Sequence, residues 1–311
     1  MEGVTGDLFR QAQRLHFTPA DRYYTPFLSP TSSRVLAQRE LREVEPGHNA
    51  GIHVVPQLMG HDAEDFLWMA RALRDLGYDE VNLNLGCPSG TVVTKKKGAG
   101  LLADRNLLER MLDGIFDFCP VPISIKTRLG MKDAEEFPPI LELFNRYPVK
   151  ELIIHPRVQT DQYKNHPNLD VVAWALDHSR APVCYNGDLF CAADIAAFRE
   201  RFPTVERIMV GRGLAANPGL IAEAKTGERP TAAQMAAFHE TLYTLTKARI
   251  PDRRALLFRM KEAWHYFGCA FEGAEKPLRQ IRRAQNLADY ENAVRTLFAE
   301  CPVRDGAGFI A

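Results

Sequence analysis

One repeated pattern limits what this chain can fold into. Seven short runs rich in Val and Ile each end in a polar or glycine-bearing cluster and lead into a helical stretch. They are Tyr23 to Leu28, Ile52 to Leu58, Glu80 to Leu85, Pro122 to Thr127, Glu151 to His155, Pro182 to Tyr185 and Arg207 to Val210. Such runs are too short for globular helices and have the length of buried strands. The helices between them carry their own signals. Asp62 stands as a cap before Glu64 and Asp65. Phe66, Leu67, Met69, Ala70, Leu73 and Leu76 share one face, and Gly77 ends the helix. Asn106 to Phe118 and Ala192 to Phe202 have similar periodicity. Strand, helix, strand at intervals of roughly 25 to 40 residues predicts a parallel sheet with crossover helices.

Chemistry-bearing residues follow almost every run: Gln57, Asn84 to Pro88, Lys126 to Arg128, His155 to Arg157, Asn186 to Asp188 and Gly211 to Gly213. A closed barrel gathers all its strand ends at one mouth, whereas an open sheet gathers them only near a switch point. The expected fold is therefore α/β, a (β/α)8 TIM barrel. It is one strand short, and the place for the missing first strand is before Met1. Thr226 to Thr231 reads as a linker. Beyond it come only helical stretches, about Ala233 to Ala248, Asp252 to Tyr266, Lys276 to Gln285 and Tyr290 to Ala299. The expected division is a catalytic barrel over residues 1–227 and a C-terminal all-helical domain over 228–311.

Charge narrows the function classes. Lys and Arg total 39, Asp and Glu total 39, and 46% of residues are hydrophobic, which excludes a disordered chain or a uniformly basic nucleic-acid binder. The balance hides a local excess. From Lys247 to Asn286 there are ten Lys or Arg against four acids, which reads either as a solvated helix face or as a footprint for phosphates. No apolar run approaches 18 residues and no signal peptide begins the chain, so no membrane segment is expected. The six cysteines form no CxxC pair and no His pair has zinc spacing. No metal is expected, and the cysteine usage fits a reducing cytoplasm.

Gly187 and the Gly211/Gly213 pair follow the last two runs, where barrels often bind phosphate through backbone N–H groups. Arg212 adds a charged fork there, although two ordinary glycine turns fit the same residues. There is no GxGxxG and no GxxxxGK[ST] motif. Period-2 geometry sets Lys126 and Arg128 on one face, and an inward Lys126 is a buried cation that needs an electron-rich partner. His155 alone reads as a structural group. Cys87, between Gly86 and Pro88 and ahead of Lys95-Lys96-Lys97, reads either as packing or as an acid or nucleophile near an anionic substrate.

Val81-Asn82-Leu83-Asn84-Leu85-Gly86-Cys87-Pro88, with Val92 and Gly98-Ala99 beyond, resembles the signature of the tRNA-dihydrouridine synthase family. Gly3-Val4-Thr5 with Phe9-Arg10, Pro56-Gln57-Leu58, Ile125 to Gly130, Asn186-Gly187-Asp188 and Gly211-Arg212-Gly213 match further family motifs in order. The resemblance spans the chain. It implies an FMN-dependent barrel enzyme that uses NADPH to reduce the 5,6 double bond of uridines in the tRNA D-loop. By the same resemblance, Gln57, Lys126, His155, Asn186, Gly187, Asp188, Gly211 and Arg212 hold FMN, and Cys87 is the proton donor. Asn84 and Arg128 hold the target uridine, and Arg157 lies near tRNA contacts.

Two departures stand out. Many members have Gly where this chain has Pro156, which marks a subgroup. The family also begins with a strand ending in Ala-Pro-Met over the flavin, whereas this sequence opens at Met1-Glu2-Gly3. By the resemblance, Met1 and Glu2 fall to the flavin site. The expectation is that the protein starts upstream or lacks strand one. The competing readings are an FMN barrel reductase of a small molecule and a non-catalytic RNA-binding relative.

Overall fold

The computed structural model describes residues 1–310 and forms a strand from each of the seven runs. The strands are β1 (Tyr23–Tyr24), β2 (Val54–Val55), β3 (Gln57–Leu58), β4 (Val81–Leu85), β5 (Ile123–Thr127), β6 (Leu152–Ile154), β7 (Val183–Tyr185) and β8 (Arg207–Ile208). β2 and β3 are one run divided at Pro56, which has no N–H to continue a ladder. Val54–Val55 pairs with β1 and Gln57–Leu58 pairs with β4, so the run hands over from one neighbour to the next. Every pairing is parallel, and each run joins its successor in sequence, which is the strand order of a (β/α) barrel. Among the described residues no strand joins β8 to β1.

Alternation divides each strand between two environments. Val81, Leu83, Leu85, Ile123, Ile125, Leu152 and Ile154 enter an apolar core with side chains from the helices Ala63–Asp75, Arg105–Phe116 and Phe137–Phe144. Asn82, Asn84, Ser124 and Lys126 occupy the opposite face. The helix Ala63–Asp75 starts and stops as its sequence predicts: the Asp62 carboxylate accepts the Asp65 N–H at 2.9 Å, and Gly77 follows with φ +96°.

The chain clusters into two compact units. One holds Arg22–Asp188 and Phe202–Met209, and thus all the strands. The other holds Met1–Asp21, Leu189–Arg201 and the chain from Val210 onward. In this second unit Gly227, at φ +77°, closes the helix Leu220–Thr226, and Thr231 caps Ala232–Arg249 in a capping box with Gln234. The helices Arg253–Phe267, Glu275–Arg283 and Leu287–Glu300 follow, close to the expected spans. Their interior is aromatic. His239 is buried there, its Nε2 2.7 Å from the Tyr290 hydroxyl, which also accepts the Trp264 indole N–H at 2.9 Å. On Glu275–Arg283, Pro277 and Ile281 are buried while Arg279, Arg282 and Arg283 are exposed. Among the described residues no helix is long and apolar enough to cross a membrane, and no group of three or more His, Cys, Asp or Glu is placed to hold a metal.

Candidate active site

Strand register brings the inward side chains of the strand unit into one row. Asn84 pairs with Lys126, Lys126 with Ile153, and Ile153 with Cys184. Cys87 comes two residues beyond β4, and its position is set by Asn84. The Asn84 Oδ1 accepts the N–H groups of both Gly86 and Cys87 at 3.0 Å. The following loop doubles back, and the Ala99 N–H donates to the Cys87 carbonyl at 3.1 Å. Gly98 makes the approach possible. Its φ is +54°, and a Cβ there would lie 2.9 Å from the Cys87 Cβ. The Gln159 amide N–H donates to the Pro88 carbonyl at 2.9 Å and holds the far side of the turn.

Behind Asn84 a ladder of side chains runs through the strand interior. Asn84 donates to Gln57 (2.6 Å), Gln57 to Asn82 (2.9 Å), Asn82 to Ser124 (3.0 Å) and Ser124 to Glu80 (2.6 Å). Glu80 is in turn ion-paired to Lys150 at 2.7 Å. Each of these buried groups is hydrogen-bonded along the ladder, and the second Glu80 oxygen has only ion pairs, to Lys150 and to Arg22 at 3.5 Å, so together they fix one arrangement. Asn82, Ser124 and Glu80 are members that the motif reading missed. The signal was the polar alternation in Val81-Asn82-Leu83-Asn84-Leu85, since an asparagine inside an otherwise apolar strand needs a partner.

Lys126 points into the same space, as period-2 geometry requires. No group among the described residues takes a hydrogen bond from its ammonium. Burial, with the neighbouring Arg128 cation, pushes its pKa down to about 8, against a smaller opposite pull from Cys184 and Cys87. His155, 6% exposed, is held well below the usual imidazole range by burial and by Lys126, Arg128 and Arg157. It is therefore neutral. Its Nδ1–H donates to the Asn186 carbonyl at 2.8 Å, and its Nε2 faces Arg157 Nη1 at 3.4 Å as acceptor. Asn186 donates to the Met209 carbonyl at 2.8 Å.

The two arginines are both buried and engaged within the strand unit. Arg157 is 2% exposed, forked onto Asp188, and donates through Nε to the Asn165 carbonyl at 2.5 Å. Arg157, expected near tRNA contacts, is thus held in an internal ion pair with Asp188. Arg128, also 2% exposed, donates to the carbonyls of Gly86 (2.9 Å), Val158 (3.0 Å) and Gln162 (2.8 Å), with the Tyr163 ring against it. It braces the loop of Cys87 from behind. At Gly187 the backbone is necessarily bare, because a Cβ would lie 1.8 Å from the Tyr185 hydroxyl.

Gln57, Asn84, Cys87, Lys126, Arg128, His155, Arg157, Asn186, Gly187 and Asp188 all lie in the strand unit. Met1, Glu2, Gly211 and Arg212 lie in the helical unit. There the Met1 sulfur is 3.3 Å from where a Cβ on Gly211 would stand, Glu2 is exposed, and Arg212 packs on Phe190.

The strand-unit residues fit a flat, electron-rich cofactor. A partnerless ammonium, a neutral imidazole and a side-chain-free backbone at Gly187 suit an anionic ring edge and a phosphate.

Comparison with known proteins places the chain by its overall sequence. The dihydrouridine synthase (Dus) family model matches residues 1–300. A tRNA-dihydrouridine(16) synthase of Aquipseudomonas alcaligenes is 30% identical over 241 residues, 74% of this chain and 76% of that protein. One from Vibrio vulnificus is 28% identical over 313 residues, 96% of this chain and 94% of that protein. Among solved structures, a 2-naphthoyl-CoA reductase complex aligns with TM-score 0.55 at 12% identity. The match covers 72% of this chain and 47% of that one, and it is a likeness of fold.

Proposed function

The chain belongs to the dihydrouridine synthase family, whose flavin-dependent members reduce uridine in tRNA, and from that premise we propose the finer reading. The flavin is FMN, NADPH is its reductant, and the target is a D-loop uridine at position 16, the position in the names of several relatives. Residues 1–227 form the catalytic domain, residues 228–311 the tRNA-recognition domain, and the enzyme works in the cytoplasm.

The observation that carries this reading is the partnerless Lys126 ammonium near Cys87. Bound flavin supplies the hydride that reaches C6 of the uracil. Negative charge then develops on C5 and the C4 oxygen, and the Cys87 thiol gives its proton to C5 as general acid. Asn84 fixes the Gly86–Cys87 turn, and so the line along which that proton travels. Lys126 would balance negative charge on the bound flavin, which is how a protein tunes such a cofactor. Gln57, His155, Asn186 and Gly187 would hold the flavin, and the family motif assigns Gly211 and Arg212 to its phosphate. Arg128 keeps the uridine-binding loop in place. The base must leave its stack, at a cost of a few kcal/mol, which favours a loop uridine over a paired one.

Mass spectrometry of tRNA from a strain lacking this gene tests the proposal. Dihydrouridine at position 16 should disappear and return on complementation. An unchanged dihydrouridine map would reject the proposal, and loss at another position would reject the assignment to position 16.

A further inference from the structure

Within the helical unit, the guanidinium carbon of Arg212 lies 4.7 Å from the ring centroid of Phe190 and 5.3 Å from that of Phe309. The two rings meet edge to face, 5.4 Å apart at 62°, and form a corner that the guanidinium fills. Phe309 is delivered there by a C-terminal tail anchored at three consecutive residues. Asn217 donates to the Ala307 carbonyl at 3.1 Å, Arg304 donates to the Gly308 carbonyl at 3.2 Å, and the Phe309 N–H donates to the Phe190 carbonyl at 3.3 Å. Glycine is required at 308, because a Cβ there would stand 2.2 Å from the Phe190 oxygen. Gly213, next to Arg212, meets the same stretch. Its Cβ would lie 2.5 Å from the Leu189 oxygen and 2.8 Å from that of Phe190. The tail and the turn bearing Arg212 therefore both close on Phe190.

A guanidinium stacked on rings spends its face, while its N–H donors lie in its plane and keep their direction. An unrestrained arginine loses rotamer freedom when an anion fixes it, and a preformed wall removes part of that loss beforehand. No motif in the sequence marks this tail, and none of the chemistry assigned above uses it.

We infer that Phe309 is a positioning residue: the C-terminal tail clamps Arg212 against Phe190 and sets its guanidinium for the phosphate of FMN. The inference rests on the assignment of Arg212 to that phosphate. Riboflavin, which has the same ring system and no phosphate, separates this role from general packing.

The test is to titrate flavin-free protein with FMN and with riboflavin. The parent should prefer FMN. F309A should weaken FMN by about 2- to 30-fold and leave riboflavin unchanged. F309L, which keeps apolar bulk in the corner without a π face, should behave in the same way, and F309Y should restore the parent value. R212A should abolish the preference for FMN. If F309A and F309L keep the parent FMN-to-riboflavin ratio while R212A loses it, the clamp is wrong and the phosphate assignment stands. An equal loss of both ligands in F309L would also overturn the clamp. An R212A protein with the parent ratio would overturn the phosphate assignment and the clamp with it.

Discussion

Arg157 and Asp188 face each other as a two-pronged ion pair, Nη1 to Oδ1 at 2.8 Å and Nη2 to Oδ2 at 2.5 Å. The Arg157 side chain is 2% exposed and that of Asp188 21%. Asp188 is thus the counter-ion for a pocket that also contains Lys126 and Arg128, both of which act on His155.

Removing one partner should be costly. D188N leaves Arg157 charged and buried, a change that typically costs about 3–5 kcal/mol. Urea unfolding of flavin-free D188N should show a loss of that order. A double replacement of both residues by apolar side chains should recover most of it, because a buried pair is near neutral against a well-packed apolar substitute. A D188N protein as stable as the parent would show that the fork contributes nothing.

Cys87 should matter for one half-reaction only. C87A should slow uridine reduction by about 10²- to 10⁴-fold, the usual contribution of general acid catalysis. Oxidation of NADPH by the bound flavin should stay near the parent rate, because the thiol is not needed for it. Rapid mixing with tRNA, and separately with NADPH, reads the two steps. A parent-like rate with tRNA would place the proton source elsewhere.

Arg279, Arg282 and Arg283 lie exposed on one helix at spacings of three and four residues, which groups them on one side. Changing all three to Ala should weaken tRNA binding and flatten the plot of log affinity against log salt by roughly one unit per lost phosphate contact. Flavin content should not change. A solvated face with no role predicts the parent salt slope, and in that case the exposed Lys95 and Lys96 become the better candidates.

Acid should destabilise the helical unit through His239. Burial pushes its pKa down to about 3, against an ordinary 6.5 in the unfolded chain. Between these values the unfolded chain binds a proton that the folded chain refuses. The stabilisation is therefore complete above about pH 6.5 and declines as pH falls toward 3. Between pH 7 and pH 5 the loss should be about 2 kcal/mol. H239F has no such group, so the stability difference between parent and H239F should shrink by that amount over the same interval. A constant difference would mean that His239 titrates normally.

The strands were legible because buried parallel strands read as unbroken apolar runs, and the residues that end them stand at the barrel mouth. Lys126 and Cys87 could be placed from position and period alone. Arg157 could not. Its partner Asp188 lies 31 residues away, and nothing near Arg157 in the chain distinguishes a buried fork from a solvated arginine. Arg128 has the same difficulty, since its carbonyl partners belong to loops whose paths periodicity does not reveal. Phe309 looked like an ordinary tail residue because its partner Phe190 is more than a hundred positions away. The clustering of Met1–Asp21 with the C-terminal helices depends on contacts such as Arg249 to Asp7, at 2.7 Å, which no local pattern announces.

The ladder from the Cys87 turn to Glu80 has a sense of direction. Each N–H or O–H points toward Glu80 and each side-chain oxygen along it points back, because a carboxylate at the end can only accept. Reversing one amide would set oxygen against oxygen on one side and N–H against N–H on the other, and no neighbour could absorb the error without reversing too. Heredity therefore handles Gln57, Asn82, Asn84, Ser124 and Glu80 as one character rather than five. A lineage that replaces Glu80 by a donor must rewrite the whole row or lose the turn that presents the thiol. Descendants should accordingly carry either the full set or a different one, with few mixtures between.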